Sequence, residues 1–400
     1  MDSKPALLGS QPMFESKVPI VRPTLPDIHE VTDGIRGMFT SGMLTAGQHL
    51  RDFEAAVAEH LGVKHAVAVS SCTTGLMLTY LGLGLTGDVV VPSFTFMATV
   101  SALSWARLRP VFADVDVDTT NLDPAAAEAV ITPRTSAIVA VHNFGNPADI
   151  EALQEIARRH GLKLIFDAAH GFGALYQGVP VGPQGDAQVY SLSPTKLLIA
   201  GEGGIVATNN DELAEYVRIG REYGNSGHYD SAFAGLNARM SEFHALLGLH
   251  SLQGLETAVR RRNHLVTLYQ EQLAHLPGID FQQVRPGNRC SYKDLSVTVD
   301  EEAFGLSREH LAQALASENI DTRKYYEPPV HRQTAYRAFA PPPDTLTSTN
   351  ILAARSLSLP LWSHMEDTMV LRICHAIQRI HTCAEDVTSA LEHQSAASVA

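Results

Sequence analysis

What most constrains this chain is a recurrence between about residues 65 and 208, where short apolar or β-branched runs are separated by spans long enough for a helix. Seven such runs occur, among them "HAVAV" (65–69), "DVVVP" (88–92), "LKLIFD" (162–167) and "GGIVATN" (203–209). Runs of this kind suit strands buried on both faces, and parallel neighbours need a crossover that a helix supplies. One intervening segment, "DIEALQEIARRHG", has helical periodicity and ends on Gly161, a residue suited to the left-handed turn that closes a helix. The pattern predicts an α/β domain whose largely parallel sheet lies between helices.

A chain of 400 residues exceeds what one hydrophobic core usually serves, so a second, smaller domain is expected. We place the large domain, with an amino-terminal arm, at residues 1–250 and a small α+β domain at 251–400. The stretch "SEFHALLGLHSLQGLETAVRRRNHLVTLYQEQL" bridges them, as two helices or one bent helix. Beyond it come a strand, "DLSVTV", a helix, "SREHLAQALASEN", a proline-rich loop, "APPPD", and an amphipathic helix near "MEDTMVLRICHAIQRI". The final "QSAASVA" reads as a loose tail.

With 30 Lys and Arg against 43 Asp and Glu, the formal net charge is −13, and the acidic and basic residues are interspersed. That argues against a nucleic-acid partner, which requires a basic face. The four cysteines show no CxxC pair, consistent with a reducing compartment. No run approaches the roughly 18 apolar residues of a membrane span, and the amino terminus lacks an apolar signal core, so a cytoplasmic protein without membrane partners is expected. No clustering of metal ligands is seen, and no metal is expected.

In open α/β sheets ligands sit outside the carboxyl ends of the strands, and three of those ends carry unusual residues. In "VSSCTTGL" a strand runs into hydroxyl residues and then a helix, which suits a phosphate and equally an ordinary N-cap. In "LIFDAAHGFGA" a buried strand ends on Asp167, with His170 three residues later. A buried carboxylate needs a cation or strong donors, or else it caps the next helix. In "SLSPTKLLIAGEGG", Lys196 stands among apolar residues. Burial favours a neutral amine able to form a Schiff base, although a lysine there could also reach solvent or pair with Glu202. A phosphate cradle, an acid for a pyridinium nitrogen and a reactive lysine together are what pyridoxal phosphate chemistry requires.

The motifs "FDAAHGFGA", "SLSPTK", "GEGG", "GLNARMSE" and "YYEPPVH" occur in the order found in the DegT/DnrJ/EryC1/StrS sugar aminotransferases, and the chain resembles that family from "GQHLRDFEAAV" to "SLSLPL". The resemblance implies the fold of type I pyridoxal-phosphate transferases, with a mostly parallel seven-stranded sheet. It implies that Lys196 bears the cofactor and later shuttles a proton, that Asp167 pairs with the pyridine nitrogen, and that His170 lies near the ring and its phenolic oxygen. Phe96 would stack on the ring, and Thr73, Thr74 and Ser191 would hold the phosphate, with Asn237 reaching it from the second subunit of a homodimer. Arg239, Tyr325 and His331 would contact substrate, and the basic runs "RKYYEPPVH" and "RRRNH" are candidates for a diphosphate. One departure is Cys72, where the family commonly has glycine. Members that act as sugar dehydratases replace the lysine by histidine, so Lys196 points to transamination.

The activity implied is amino transfer, with L-glutamate as donor, to the ketone of a nucleotide-linked deoxysugar. A keto-cyclitol acceptor is the nearest alternative, and a cofactor-binding regulator without turnover is a different class.

Overall fold

The computed structural model describes residues 4–399, and in it the recurrent apolar runs form a single seven-stranded sheet. In chain order the strands are β1 (His65–Val69), β2 (Asp88–Pro92), β3 (Arg109–Ala113), β4 (Thr135–Val141) and β5 (Lys163–Asp167). A short hairpin comes next, β6 (Leu175–Tyr176) and β7 (Val179–Pro180), and then β8 (Ala187–Ser191) and β9 (Gly204–Thr208). The spatial order is β1-β9-β8-β5-β4-β2-β3. Strands β3, β2, β4, β5 and β8 pair in parallel, whereas β9 runs antiparallel to both β1 and β8.

Helices cover both faces, so these strands carry apolar side chains on both sides. Val67, Val89 and Ile165 pack into one layer, while Ala68, Ile138 and Phe166 pack on the other side. The crossover Ile150–His160 starts where the Asp149 carboxylate accepts from the Ala152 N–H, and it closes at Gly161 with φ 64°. The closing glycine stands where the sequence placed it.

The bridging segment resolves into two helices, Glu242–Gln253 and Leu255–Leu273, divided at Gly254. The second lays Leu265, Tyr269 and Leu273 into the core of a small domain built on an antiparallel sheet of β10 (Ile279–Phe281), β11 (Leu295–Val299) and β12 (Ser356–Leu359). Of these only β11 was anticipated. Strand β10 has three residues and β12 reads "SLSL", too short for period two to stand out.

Two expectations are corrected. The carboxyl-terminal tail is helical over Ala384–Val399, because Val387 and Leu391, one helical turn apart, are buried in the small-domain core; Ala400 lies outside the described residues. The amino-terminal arm also packs on the small domain. Phe14 and Val18 join its core, and the Ala6 and Met13 N–H groups donate to the buried Glu318 carboxylate at 2.8 and 2.7 Å. Among the described residues no helix is long and apolar enough to cross a membrane.

Glu242, in "GLNARMSE", is buried and accepts from the N–H groups of Gly47, His49 and Leu50 at 2.9, 2.9 and 3.0 Å. It thereby satisfies the start of the helix Gln48–Leu61, whose N-cap Gly47 has no side chain to do so. Replacement by alanine strands three donors, those of Gly47 and Leu50 buried, and should lower unfolding free energy by about 2–3 kcal/mol. Urea denaturation of Glu242→Ala checks this, and a loss within error of zero would show that water replaces the carboxylate.

Candidate active site

Three strand ends converge on one cavity of about 320 Å³, closed on its other side by residues of the small domain. Asp167 is the last residue of β5, Ser191 the last of β8, and Ser71 lies two positions beyond β1. Lys196 enters from the turn after β8, while Lys293, Asp294, Tyr325 and Tyr326 arrive from the carboxyl-terminal half. The cavity therefore lies outside the carboxyl ends of parallel strands, as the chirality of α/β connections dictates.

Asp167 is buried, and the chain leaves it through a pair of turns, so its carboxylate caps no helix. Oδ2 accepts from the Thr99 hydroxyl at 2.7 Å and Oδ1 from the Ala169 N–H at 3.0 Å. Burial raises its pKa above the ordinary carboxylate value, an effect opposed by these donors and by Lys196. Lys196 moves the other way: burial first, then the neighbouring Lys293, bring its amine from 10.5 down to about 8. The buried His170 has its pKa held well below the ordinary histidine value by burial and by the same two lysines. Its Nδ1 has no hydrogen-bond partner.

At the remaining corner the helix Cys72–Gly82 points its amino end into the cavity. Ser71 caps it by accepting from the Thr74 N–H, and the Thr74 hydroxyl returns the contact. The N–H groups of Cys72 and Thr73 are left without intrahelical acceptors, which makes an anion site. Gly204 permits this close approach, since a Cβ there would stand 2.6 Å from the Cys72 nitrogen. Cys72 itself is the first helical residue and is absent from the positive-φ positions, so glycine's freedom is not needed there. Its thiol, with a pKa pushed up by burial, faces Asp167 Oδ1 at 3.9 Å.

Of the residues selected from sequence, the structure gathers Thr73, Phe96, Asp167, His170, Ser191, Lys196 and Tyr325 around the cavity. Thr74 is taken up in the helix cap. Asn237 is exposed, does not line its own cavity, and accepts from Arg239, which also pairs with Glu222 at 3.0 Å. His331 does not line the cavity; it is buried and exchanges hydrogen bonds with Ser93. The "RRRNH" run is a strut between the bridging helix and the rest of the small domain: Arg261 and His264 pair with Asp367, and the buried Arg262 donates to Ser363 Oγ and to the Tyr292 and Lys293 carbonyls. Sequence reasoning missed Thr99, Tyr326, Lys293 and Asp294. The charged pair inside "CSYKDLSVTV", abutting a strand, was the available signal.

A buried lysine with a lowered pKa, a buried carboxylate and an anion-binding helix end in one α/β cleft define a class, the pyridoxal-phosphate transferases of fold type I. The chain belongs to the DegT/DnrJ/EryC1/StrS aminotransferase family, whose model matches residues 27–378. It is 36% identical over 352 residues to the dTDP-3-amino-3,4,6-trideoxy-alpha-D-glucose transaminase of Streptomyces venezuelae, covering 87% of this chain and 91% of that one. It is 34% identical over 370 residues to the spore coat polysaccharide biosynthesis protein SpsC of Bacillus subtilis, covering 88% and 94%. The crystal structure of DesI with its TDP-sugar product superposes with a TM-score of 0.90 at 37% identity, covering 98% of this chain and 99% of that one. The enzyme is thus a pyridoxal-phosphate-dependent aminotransferase. The residues present fit that cofactor: the open helix end could take its phosphate, Asp167 its ring nitrogen, and the unpartnered His170 Nδ1 a polar ring substituent.

In cofactor-free protein the Lys196 amine should be half-deprotonated at a pH of about 8, charged and unreactive below it and nucleophilic above it. Competitive acetylation with peptide mapping reads that midpoint. A value still near 10.5 would mean that the side chain stands in solvent.

Proposed function

We propose that this enzyme transfers the amino group of L-glutamate to a ketone of a nucleotide-linked deoxysugar in amino-sugar biosynthesis, acting as a homodimer with shared sites. The observation that carries this reading is that Lys196, Asp167 and His170 meet in one cavity in a chain 36% identical to a dTDP-sugar transaminase.

Pyridoxal phosphate, when bound, supplies the electron sink that stabilises the carbanion left when the donor's α-proton departs. The chain supplies the rest. The Cys72 and Thr73 N–H groups and the Ser191 hydroxyl hold the phosphate, and Thr74 acts by fixing Ser71 and hence the helix end. Asp167, anchored by Thr99, would hold the ring nitrogen protonated, and Phe96, which lines the same cavity, would pack on the ring. Lys196 Nζ, whose pKa of about 8 leaves a neutral fraction at that pH, takes the α-proton and holds it as an ammonium until it is returned to the product. Tyr325 lies beside this path and contacts the substrate.

Because the exposed Asn237 and the half-buried Arg239 do not line the cavity of their own subunit, a two-fold partner is what brings them to a phosphate or to a substrate. Exposed Phe39, Met43 and Leu44, near Phe243, offer apolar area for that contact.

Incubation with L-glutamate and a panel of keto-sugar nucleotides and keto-cyclitols, with mass spectrometry of the products, should show amine formed from the nucleotide-linked ketones. Conversion of cyclitols alone would overturn the substrate class. The shared site has its own test. In mixed dimers of Lys196→Ala and Asn237→Ala subunits one pocket carries both lesions and the other neither, so tag-purified heterodimers should regain up to about half of wild-type activity. Activity no greater than half that of the Asn237→Ala homodimer would place residue 237 in its own subunit's chemistry or in none.

A further inference from the structure

An aminotransferase of this kind receives two unlike substrates in one cavity, a dicarboxylate amino donor and a sugar rich in hydroxyls. A carboxylate leaving water needs a cation or strong donors. Among the described side chains lining the cavity only Lys196 and Lys293 are lysine or arginine. Lys196 is the reacting amine and must stay neutral to accept a proton, so it cannot serve as a carboxylate's standing partner. Lys293 remains.

The surroundings of Lys293 are those of a built site. Its ammonium donates to both Asp294 oxygens, at 2.8 and 2.9 Å, and both side chains are buried. The ammonium carries three protons, so this pairing leaves one for a ligand. The Tyr325 ring lies 5.7 Å from Nζ and limits where that ligand can sit. The backbone is fixed from both domains. The Ser291 and Lys293 N–H groups donate to the Gly145 and Phe144 carbonyls, and the Ser291 hydroxyl donates to the His170 carbonyl at 2.8 Å. Arg262 donates to the Lys293 carbonyl at 2.8 Å. Gly145, with φ 95°, allows the latch, because a Cβ there would lie 2.1 Å from Ser291 Oγ.

We propose that Lys293 and Asp294 form the charge pair that reads both substrates: Lys293 binds a carboxylate of the amino donor through its third proton, and Asp294 accepts hydroxyl protons of the sugar. Asp294 also holds the donor's affinity down. A carboxylate bound to Lys293 lies near the Asp294 carboxylate, so it leaves readily when the sugar must enter. The pair acts on specificity and takes no proton from the reacting carbon. This inference rests on the proposed amino transfer from glutamate.

The test separates the two substrates. Binding of glutarate, a donor mimic with no amine to react, is measured by calorimetry on the holoenzyme, and each half-reaction is timed in single turnovers. Lys293→Met should weaken glutarate binding and lower the glutamate half-reaction by roughly 10- to 30-fold, the effect of one charge-assisted hydrogen bond. The sugar half-reaction should change no more than about threefold, and Lys293→Arg should keep glutarate binding within about threefold of wild type. Unchanged glutarate binding, or equal losses in both half-reactions, would overturn the proposal. Should Lys293→Met leave the buried Asp294 so costly that the protein does not fold, the Lys293→Met, Asp294→Asn double variant removes that charge; it is read by glutarate binding alone, which should weaken as in the single variant, since the loss of Asp294 also touches the sugar half-reaction. If the wild-type enzyme aminates no sugar nucleotide, the proposed function falls, while glutarate binding still decides the role of Lys293.

Discussion

The structure depends on keeping a carboxylate at the end of a buried strand. Asp167 closes β5 in the middle of the sheet, where burial penalises its charge, and the Thr99 hydroxyl and Ala169 N–H are what make it tolerable. Thr99 comes from the helix after β2, so the side chain that stabilises Asp167 is delivered by a neighbouring crossover. The same low-polarity surroundings act in the opposite sense on Lys196 and His170, favouring their neutral forms. One desolvated cleft thus sets three protonation states.

The cleft exists because the small domain is held against the large one by polar contacts at its floor. Arg262, fully buried, ties the bridging helix to the segment that carries Lys293, and Ser291 joins that segment to His170. Such contacts are directional and stranding any one of them is costly, so they fix position more than they add stability. A cavity whose charges come from both domains requires that registration, since its electrostatics would dissolve if water entered between them.

How much of this was legible before the structure differs by element. The seven strands could be read because each is a short run dominated by apolar or β-branched residues, and the crossover Ile150–His160 because its periodicity and its closing Gly161 are local signals. Strands β10 and β12 could not be read, because three or four residues do not establish a period. Asp167, Lys196 and His170 stand out as polar residues in apolar contexts. His331 stands out equally and turns out to bond Ser93 away from the cavity, so context alone does not separate a site residue from a structural one.

The sequence by itself determined the α/β alternation, the strand ends at which chemistry is possible, and the family, because these rest on local periodicity and on short motifs in fixed order. Only the tertiary structure decided which polar residues share a cavity. It drew "RRRNH" into a strut between the bridging helix and the rest of the small domain, left Asn237 exposed, and brought Lys293 and Asp294 beside a lysine almost a hundred positions earlier. The physical reason is that burial and proximity of charge arise between segments distant in the chain. No local pattern encodes the desolvation that favours the neutral amine of Lys196 in the same pocket where Lys293 is paired with a carboxylate.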